Sequence, residues 1–149
     1  MKRGERNSVG EYHKVVHIWI KNSSSKYLVQ QRNKSTDRFP YQWAPTAGAC
    51  ITGEDIFSTA VRETAEEIGI TLNKSDFKHQ GSIYVDNDYS NYIIEVFIVT
   101  KDIALDSVKL QYEEVKAVAY YNKNEIYEMM INNQFWQFPN DYFEILEKS

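Results

Sequence analysis

The chain has 149 residues, of which 42% are hydrophobic and 14% aromatic, enough apolar material for one buried core but too little for two. Its formal net charge of -4 argues against an extended nucleic-acid surface or binding to an anionic membrane. A single cysteine excludes an internal disulfide, and the polar amino terminus lacks the apolar core of a signal peptide, so a single-domain cytoplasmic protein without a membrane span is expected.

The first part of the chain predicts a β-hairpin. Residues 1–11 are polar and contain glycines, which indicates an irregular lead. The runs 15–20 and 27–32 are rich in β-branched and aromatic residues and are typical of strands. The turn-prone residues 22–25 lie between them. We therefore expect two antiparallel strands.

Imidazole and guanidinium groups flank this hairpin. His13 and His17 are four residues apart and would share one face of a strand, so a joint site is geometrically allowed, although paired histidines more often pack or are solvated. Arg32 ends the second strand, and Arg38 follows in the next loop. Both arginines are candidates for phosphate contact, and the alternative is solvated loop charge.

Residues 48–70, GACITGEDIFSTAVRETAEEIGI, predict a loop followed by a helix. Ile56, Ala60 and Ile68 recur at helical spacing. Gly69 follows at the place where a left-handed carboxyl-terminal cap is expected. The helix should therefore end at this glycine.

Three glutamates share one face of that helix, because Glu63, Glu66 and Glu67 are three and four residues apart. Clustered carboxylates repel one another, and helix formation does not require them. A hard divalent cation would turn the repulsion into ligation. The alternative is an ordinary solvated acidic face.

The whole stretch resembles the box of the Nudix family. The residues that carry the pattern are, in chain order, Gly48, Glu54, Arg62, Glu63, Glu66, Glu67 and Gly69. One position departs: Thr64 stands where the family usually has a large apolar residue. A helical threonine can bond its hydroxyl to the preceding turn, so the expected cost is slightly poorer packing. The opening strands further resemble a Nudix subgroup that includes isopentenyl-diphosphate isomerases.

The remaining chain predicts strands followed by helices. In chain order these are strands at 77–85 and 92–100 joined as a hairpin, a loop at 102–111, a strand at 115–121, and helices at 123–131 and 140–147. The last helix would be capped by Asn140 or Asp141. Tyr84, Tyr89 and Tyr92 surround the hairpin loop and could stack on a ring, although such residues more often pack.

The resemblance implies an α/β fold, an αβα sandwich around a central mixed sheet. It also implies that Glu63, Glu66 and Glu67 hold Mg²⁺ or Mn²⁺, with the Gly48 carbonyl as a further ligand. In this interpretation Glu63 is a ligand or the catalytic base, and Arg62 orients the carboxylates through Glu54.

Family members commonly add an acidic residue from the loop before the last strand. Glu114 is expected in that role over Glu113, because it directly precedes the strand. The alternative is a solvated acidic pair at a loop end.

The implied activity is metal-dependent hydrolysis of a diphosphate bond in a nucleoside diphosphate linked to another moiety, X. Two alternatives are an isomerase of isopentenyl diphosphate and a Nudix fold that only binds a ligand. Ala47 stands where the isomerases carry a catalytic cysteine, and the intact glutamates count against a binder. The identity of X and the formation of a homodimer are left open.

Overall fold

The computed structural model describes residues 13–33, 41–86 and 91–148. In the described residues a mixed sheet is flanked by helices on both sides. The elements are β1 (His13–Lys21), β2 (Lys26–Arg32), β3 (Trp43–Ala44), β4 (Thr46–Ala49), α1 (Ile56–Ile68), β5 (Lys78–Asp86), β6 (Asn91–Thr100), β7 (Val115–Asn122), α2 (Lys123–Ile131) and α3 (Tyr142–Leu146).

The sheet is mixed because one strand pair is parallel. β1 pairs with β6 in parallel from His13↔Tyr92 to Lys21↔Thr100, whereas β5 pairs with β6 and β7 pairs with β2 in antiparallel fashion. The predicted hairpin of β5 and β6 is confirmed. A parallel pair needs a long crossover, and the chain between β1 and β6 contains α1, which lies on one face of the sheet.

The first hairpin splays into a fork. β1 and β2 pair only through Ile20↔Leu28 and Lys21↔Tyr27. Further along, β4 pairs with β1, and β3 pairs with β2. Because β6 and β7 occupy the other edges of β1 and β2 along their length, residues 43–49 must lie between the two diverging strands. The fork thus inserts the chain that precedes α1 into the middle of the sheet.

Both faces of the sheet are buried, and successive side chains of β1 pack on opposite faces. Val16 and Ile18 pack on the α1 side, whereas Trp19 packs on the opposite side against aromatic residues such as Phe135 and Phe143. All five of these side chains are at most 2% exposed. An αβα sandwich follows, as expected from the sequence.

Two expectations about the second half of the chain need correction. The last helix covers Tyr142–Leu146 and is shorter than expected, and Asp141 makes no side-chain cap bond. Instead the Tyr142 N–H donates to the Pro139 carbonyl at 3.0 Å, so a backbone turn satisfies it. The segment 102–111 contains a short 3₁₀ turn at Leu105–Ser107.

In the described part of the chain no helix is long and apolar enough to cross a membrane.

Candidate active site

Both ends of α1 are fixed by local bonds. At its start the Asp55 carboxylate accepts from the Ser58 N–H at 2.9 Å. At its end Gly69 has φ 69° and ψ 23°, the left-handed conformation expected of this glycine. In between, the buried Thr64 hydroxyl donates to the Ala60 carbonyl at 2.8 Å, which confirms the predicted bond to the preceding turn. The helix therefore holds its glutamates at defined positions.

Gly48 makes room for the carboxylate of Glu63. A Cβ placed on Gly48 would lie 2.0 Å from Cδ of Glu63, which no real side chain tolerates. Only glycine lets the helix residue lie directly on strand β4. The Glu63 side chain is thereby buried, with 9% of the residue exposed.

Arg62 ties the carboxylates together. Its Nε and Nη2 each donate to Glu54 at 2.9 Å, a two-point ion pair that confirms the expected bridge between loop and helix. Its Nη1 donates to Glu63 at 2.8 Å and to Glu66 at 3.3 Å. The bonds from Arg62 and from the Thr59 hydroxyl lower the pKa of Glu54 to about 2. Glu54 therefore stays ionised and anchors the guanidinium.

Glu67 is oriented by a residue that the sequence analysis missed. The Gln30 side-chain amide donates to the Glu67 carboxylate, and the Gln30 carbonyl oxygen accepts from the Thr46 hydroxyl at 2.8 Å. Gln30 and Thr46 are buried. Gln30 lies two residues after the core residue Leu28, on the same face of β2, and a glutamine at such a position indicates a buried polar contact.

The pKa of Glu67 is raised to about 8, mainly because its carboxyl is buried. A hydrogen bond to Glu63 and the charges of Glu63 and Glu114 raise it further, while the Gln30 bond acts in the opposite direction. Among the described residues Glu67 has no cationic partner. Within the part of the chain that the structure describes, the buried Glu67 carboxyl is thus not balanced by an ion pair.

The loop that carries Glu114 is bonded to the end of α1. The Gln111 N–H donates to the Glu67 carbonyl at 3.1 Å, and the Glu114 N–H donates to the Gln111 carbonyl at 2.8 Å. From the other side, the Asn33 N–H donates to the Glu114 carbonyl at 3.1 Å. These bonds bring Glu114 within electrostatic reach of Glu67, where an additional acidic residue was expected.

The donor set suits a hard divalent cation, because it consists of carboxylate oxygens and lacks sulfur and imidazole. As the side chains stand, no group of three or more acidic, histidine or cysteine side chains in the described residues is arranged to hold an ion. Arg62 bonds to both Glu63 and Glu66. Since the Glu66 side chain is 51% exposed, it is free to change rotamer when an ion binds.

Arg32 is the last residue of β2, at the fork. It lines a cavity of about 30 Å³ together with His17, Ala44, Pro45, Ala47 and Trp136. The other candidate for phosphate contact, Arg38, lies outside the described residues. Among the described residues, none of the box glutamates lines this cavity with Arg32, and phosphate contact by either arginine stays a prediction.

The structure does not bring His13 and His17 into a joint site. The Nδ1 atom of His17 lies 2.7 Å from the Tyr142 hydroxyl, and burial lowers the pKa of His17 to about 3, with a smaller effect from Arg32. His13 is exposed at the start of β1. In the described residues neither histidine joins a group able to hold a metal.

Tyr84 and Tyr92 of the β5–β6 hairpin point to opposite faces of the sheet, and stacking of either on a ring stays a prediction. Val85 pairs with Tyr92, which packs on the aromatic side of the sheet, so Tyr84 points to the other face and is 67% exposed. Tyr89 lies outside the described residues. In the 135–138 segment Phe135 and Phe138 are buried.

Comparisons with known proteins agree on one family. The model of the NUDIX domain matches residues 11–142. The Nudix hydrolase lin0387 of Listeria innocua is 32% identical over 146 residues, which cover 96% of this chain and 84% of that protein. The further resemblance of the opening strands to isopentenyl-diphosphate isomerases is not confirmed by these comparisons.

Solved structures share the fold. The MutT protein of Methanosarcina mazei superimposes with a TM-score of 0.69 at 20% identity, covering 95% of this chain and 94% of that one. The NUDIX domain of Shewanella oneidensis NrtR, solved with ADP ribose, gives a TM-score of 0.67 at 14% identity over 92% of this chain and 85% of that one. With the intact box and its geometry, these matches show that the chain belongs to the Nudix family of hydrolases, which act on pyrophosphate bonds.

Proposed function

We propose that the protein is a Mg²⁺- or Mn²⁺-dependent hydrolase of a nucleoside diphosphate linked to another moiety, X. The observation that carries this proposal is the buried Glu67 carboxyl, which lies beside Glu63 and Glu114 and has no cationic partner among the described residues. Such an arrangement costs stability unless a cation balances it. Nudix hydrolases generally use divalent metal ions, which agrees with this reading.

The residues that would hold the ion are Glu63, Glu66 and Glu67, with the Gly48 carbonyl as a further oxygen donor. When bound, Mg²⁺ neutralises phosphate charge and lowers the pKa of a bound water. Arg62 acts as a positioning residue, because its ion pairs with Glu54, Glu63 and Glu66 fix where those carboxylates lie. Gln30 has the same role toward Glu67.

A second task is removal of a proton from the attacking water. Glu63 and Glu114 are the two candidates for this base. The backbone of Glu114 is held on both sides, by bonds with Gln111 and Asn33, which keeps this residue beside Glu67. We assign it the base, and Glu63 the ligand role.

A nucleotide-derived substrate is supported by the ADP ribose bound to the NrtR Nudix domain, which shares this fold. The isomerase alternative has no comparable support. Ala47 stands at the position of the isomerase cysteine, and Cys50 lies 3.2 Å from the Thr59 hydroxyl between β4 and α1. Isomerisation needs an acid or base at carbon, and these residues do not supply one at Ala47.

A product screen tests the proposal. Purified protein with Mg²⁺ is incubated with nucleoside triphosphates, dinucleoside polyphosphates, nucleotide sugars, ADP ribose, coenzyme A and isopentenyl diphosphate, and phosphate-bearing products are separated by chromatography. We expect cleavage of at least one diphosphate that stops in chelator and in Glu67→Gln. Cleavage that persists in both conditions would contradict the metal assignment, and dimethylallyl diphosphate as the product would contradict the hydrolase assignment.

A further inference from the structure

The cavity lined by His17 and Arg32 lies next to the candidate active site, because strand β4 borders both. His17 on β1 pairs with Ala47 on β4, and both line this cavity. The next residue on β4 is Gly48, whose Cα faces the Glu63 carboxylate on the other side. Successive residues of one short strand thus contact the cavity and the glutamate cluster.

A buried chain of hydrogen bonds fixes the tautomer of His17. The Trp19 indole N–H can only donate, and it lies 2.8 Å from the Tyr142 hydroxyl oxygen. That hydroxyl has one hydrogen, and His17 Nδ1 at 2.7 Å is the acceptor available to it among the described residues. Nδ1 therefore accepts, and the proton of the neutral imidazole is on Nε2.

The accessibility of the Nε2–H group of His17 follows from its hydrogen bonding. This group has no hydrogen-bond partner among the described residues, although His17 is only 8% exposed. No buried side-chain nitrogen or oxygen in the described part of the chain lacks a partner. Nε2 is therefore not sealed in the core and is open to the space that His17 lines.

The cavity presents hydrogen-bond donors. Arg32 can only donate, and Nε2 of His17 donates for the reason given above. Burial lowers the pKa of His17 to about 3 and so keeps the ring neutral at physiological pH, while the bond with Tyr142 keeps the proton on Nε2. Trp136 closes one side, with its ring 4.9 Å from the His17 ring at 77°. The 30 Å³ of space is room for about one small polar group.

We propose that His17 Nε2–H and Arg32 form a subsite that selects a substrate whose moiety X places an acceptor oxygen there. The oxygen belongs to a carbonyl of a base or to a phosphate, and a group that donates at this point, such as an exocyclic amine, is rejected because it would face two donors. This inference rests on the proposed function, since it concerns how the same enzyme chooses X.

Nuclear magnetic resonance tests the tautomer and the ligand on the parent protein without metal. A two-bond ¹H–¹⁵N correlation spectrum, with His17 assigned by the loss of its signal in His17→Asn, should report the Nε2–H tautomer. Inosine, adenosine and inorganic phosphate are then titrated in separate samples. We expect inosine or phosphate to shift the Nε2 signal, and the one that does so identifies the source of the oxygen.

Two variants distinguish loss of the His17 Nε2–H donor from loss of the hydrogen bond between Nδ1 and Tyr142. His17→Asn keeps an acceptor near Nδ1 for Tyr142 and removes the outer donor, so it should weaken binding of the shifting probe about tenfold, the value of one hydrogen bond. His17→Gln returns an amide donor near Nε2 and should stay closer to the parent. Thermal unfolding of both variants checks that they fold.

Three results would overturn the proposal: an Nδ1–H tautomer, no shift with either oxygen-bearing probe, or an adenosine-induced shift as large as the inosine-induced one. These readouts involve no turnover, and His17→Gln also removes the His17 signal, so the assignment and the readouts stay decisive if His17→Asn does not fold. They are also independent of the product screen, so failure of the hydrolase proposal would appear as absent cleavage with the His17 result unchanged.

Discussion

Adding one methyl group at Gly48 should inactivate the enzyme without unfolding it. The Cβ of Gly48→Ala would lie 2.0 Å from Cδ of Glu63 and 2.4 Å from each of its oxygens. Ordinary contacts between such atoms are about 3.5 Å or longer, so the carboxylate must move by more than about 1 Å. A misplacement of that size in a catalytic group costs on the order of 10²-fold in rate.

The fold should tolerate the change because the clashing atoms are the end of a flexible side chain. Gly48 is not among the residues with positive φ, so alanine adopts its backbone conformation without strain. The assay compares kcat for the substrate found in the product screen with the melting temperature in the absence of metal. We expect kcat to fall about 100-fold, and we expect the melting temperature to change by no more than a few degrees.

Two controls test whether the clash with Glu63 causes the expected loss of activity. Ala49→Ser changes the neighbouring exposed residue on β4 and should leave kcat near the parental value. Shortening the opposing side chain in Gly48→Ala/Glu63→Asp relieves the clash, so the double variant should be no slower than the slower of its two single variants. Parental kcat in Gly48→Ala would refute the close approach of Glu63 to β4, and strictly additive losses in the double variant would refute the clash as the cause.

Further outcomes are expected from the same geometry. Glu67→Gln should lower kcat by a factor on the order of 10² and abolish the rise in melting temperature that Mg²⁺ produces, while the metal-free melting temperature stays near that of the parent. Glu114→Gln should lower kcat with little effect on metal-free stability, whereas Glu113→Gln should change neither, and equal small effects would remove Glu114 from the mechanism. Gln30→Leu should raise the Mn²⁺ concentration needed for half-saturation, measured directly by electron paramagnetic resonance, and unchanged affinity would refute its positioning role. His17 stays neutral in the folded state down to pH about 3 but takes up a proton below pH 6.5 when unfolded, so its own contribution to the free energy of unfolding should fall by about 2 kcal/mol between neutral pH and pH 5. The raised pKa of Glu67 acts in the opposite direction in both proteins, so denaturant unfolding should show the His17 contribution as the difference between the parent and His17→Asn, and an unchanged difference across this pH range would contradict it.

The sequence determined the elements whose cause is local. The helix α1 has the expected Ile56–Ile68 bounds and ends at Gly69, because apolar spacing and a left-handed glycine act within a few residues. The ion pair of Arg62 with Glu54 was also accessible, since both residues belong to one recognisable pattern. The last helix was misjudged because its start is set by the turn after Pro139 rather than by a side-chain cap.

Tertiary structure alone decided which distant residues meet. Gln30 and Glu67 are 37 residues apart, and Tyr142 and His17 are 125 apart, so no local spacing reports either contact. The parallel pairing of β1 with β6 and the fork that admits β4 place these side chains together. Register decides the outcome, since successive strand residues face opposite sides: Gly48 meets the glutamates while Ala47 meets the His17 cavity. The residues of the Nudix box therefore predicted the type of reaction from the sequence alone. The residues that surround the site and select a substrate depend on how the strands pair.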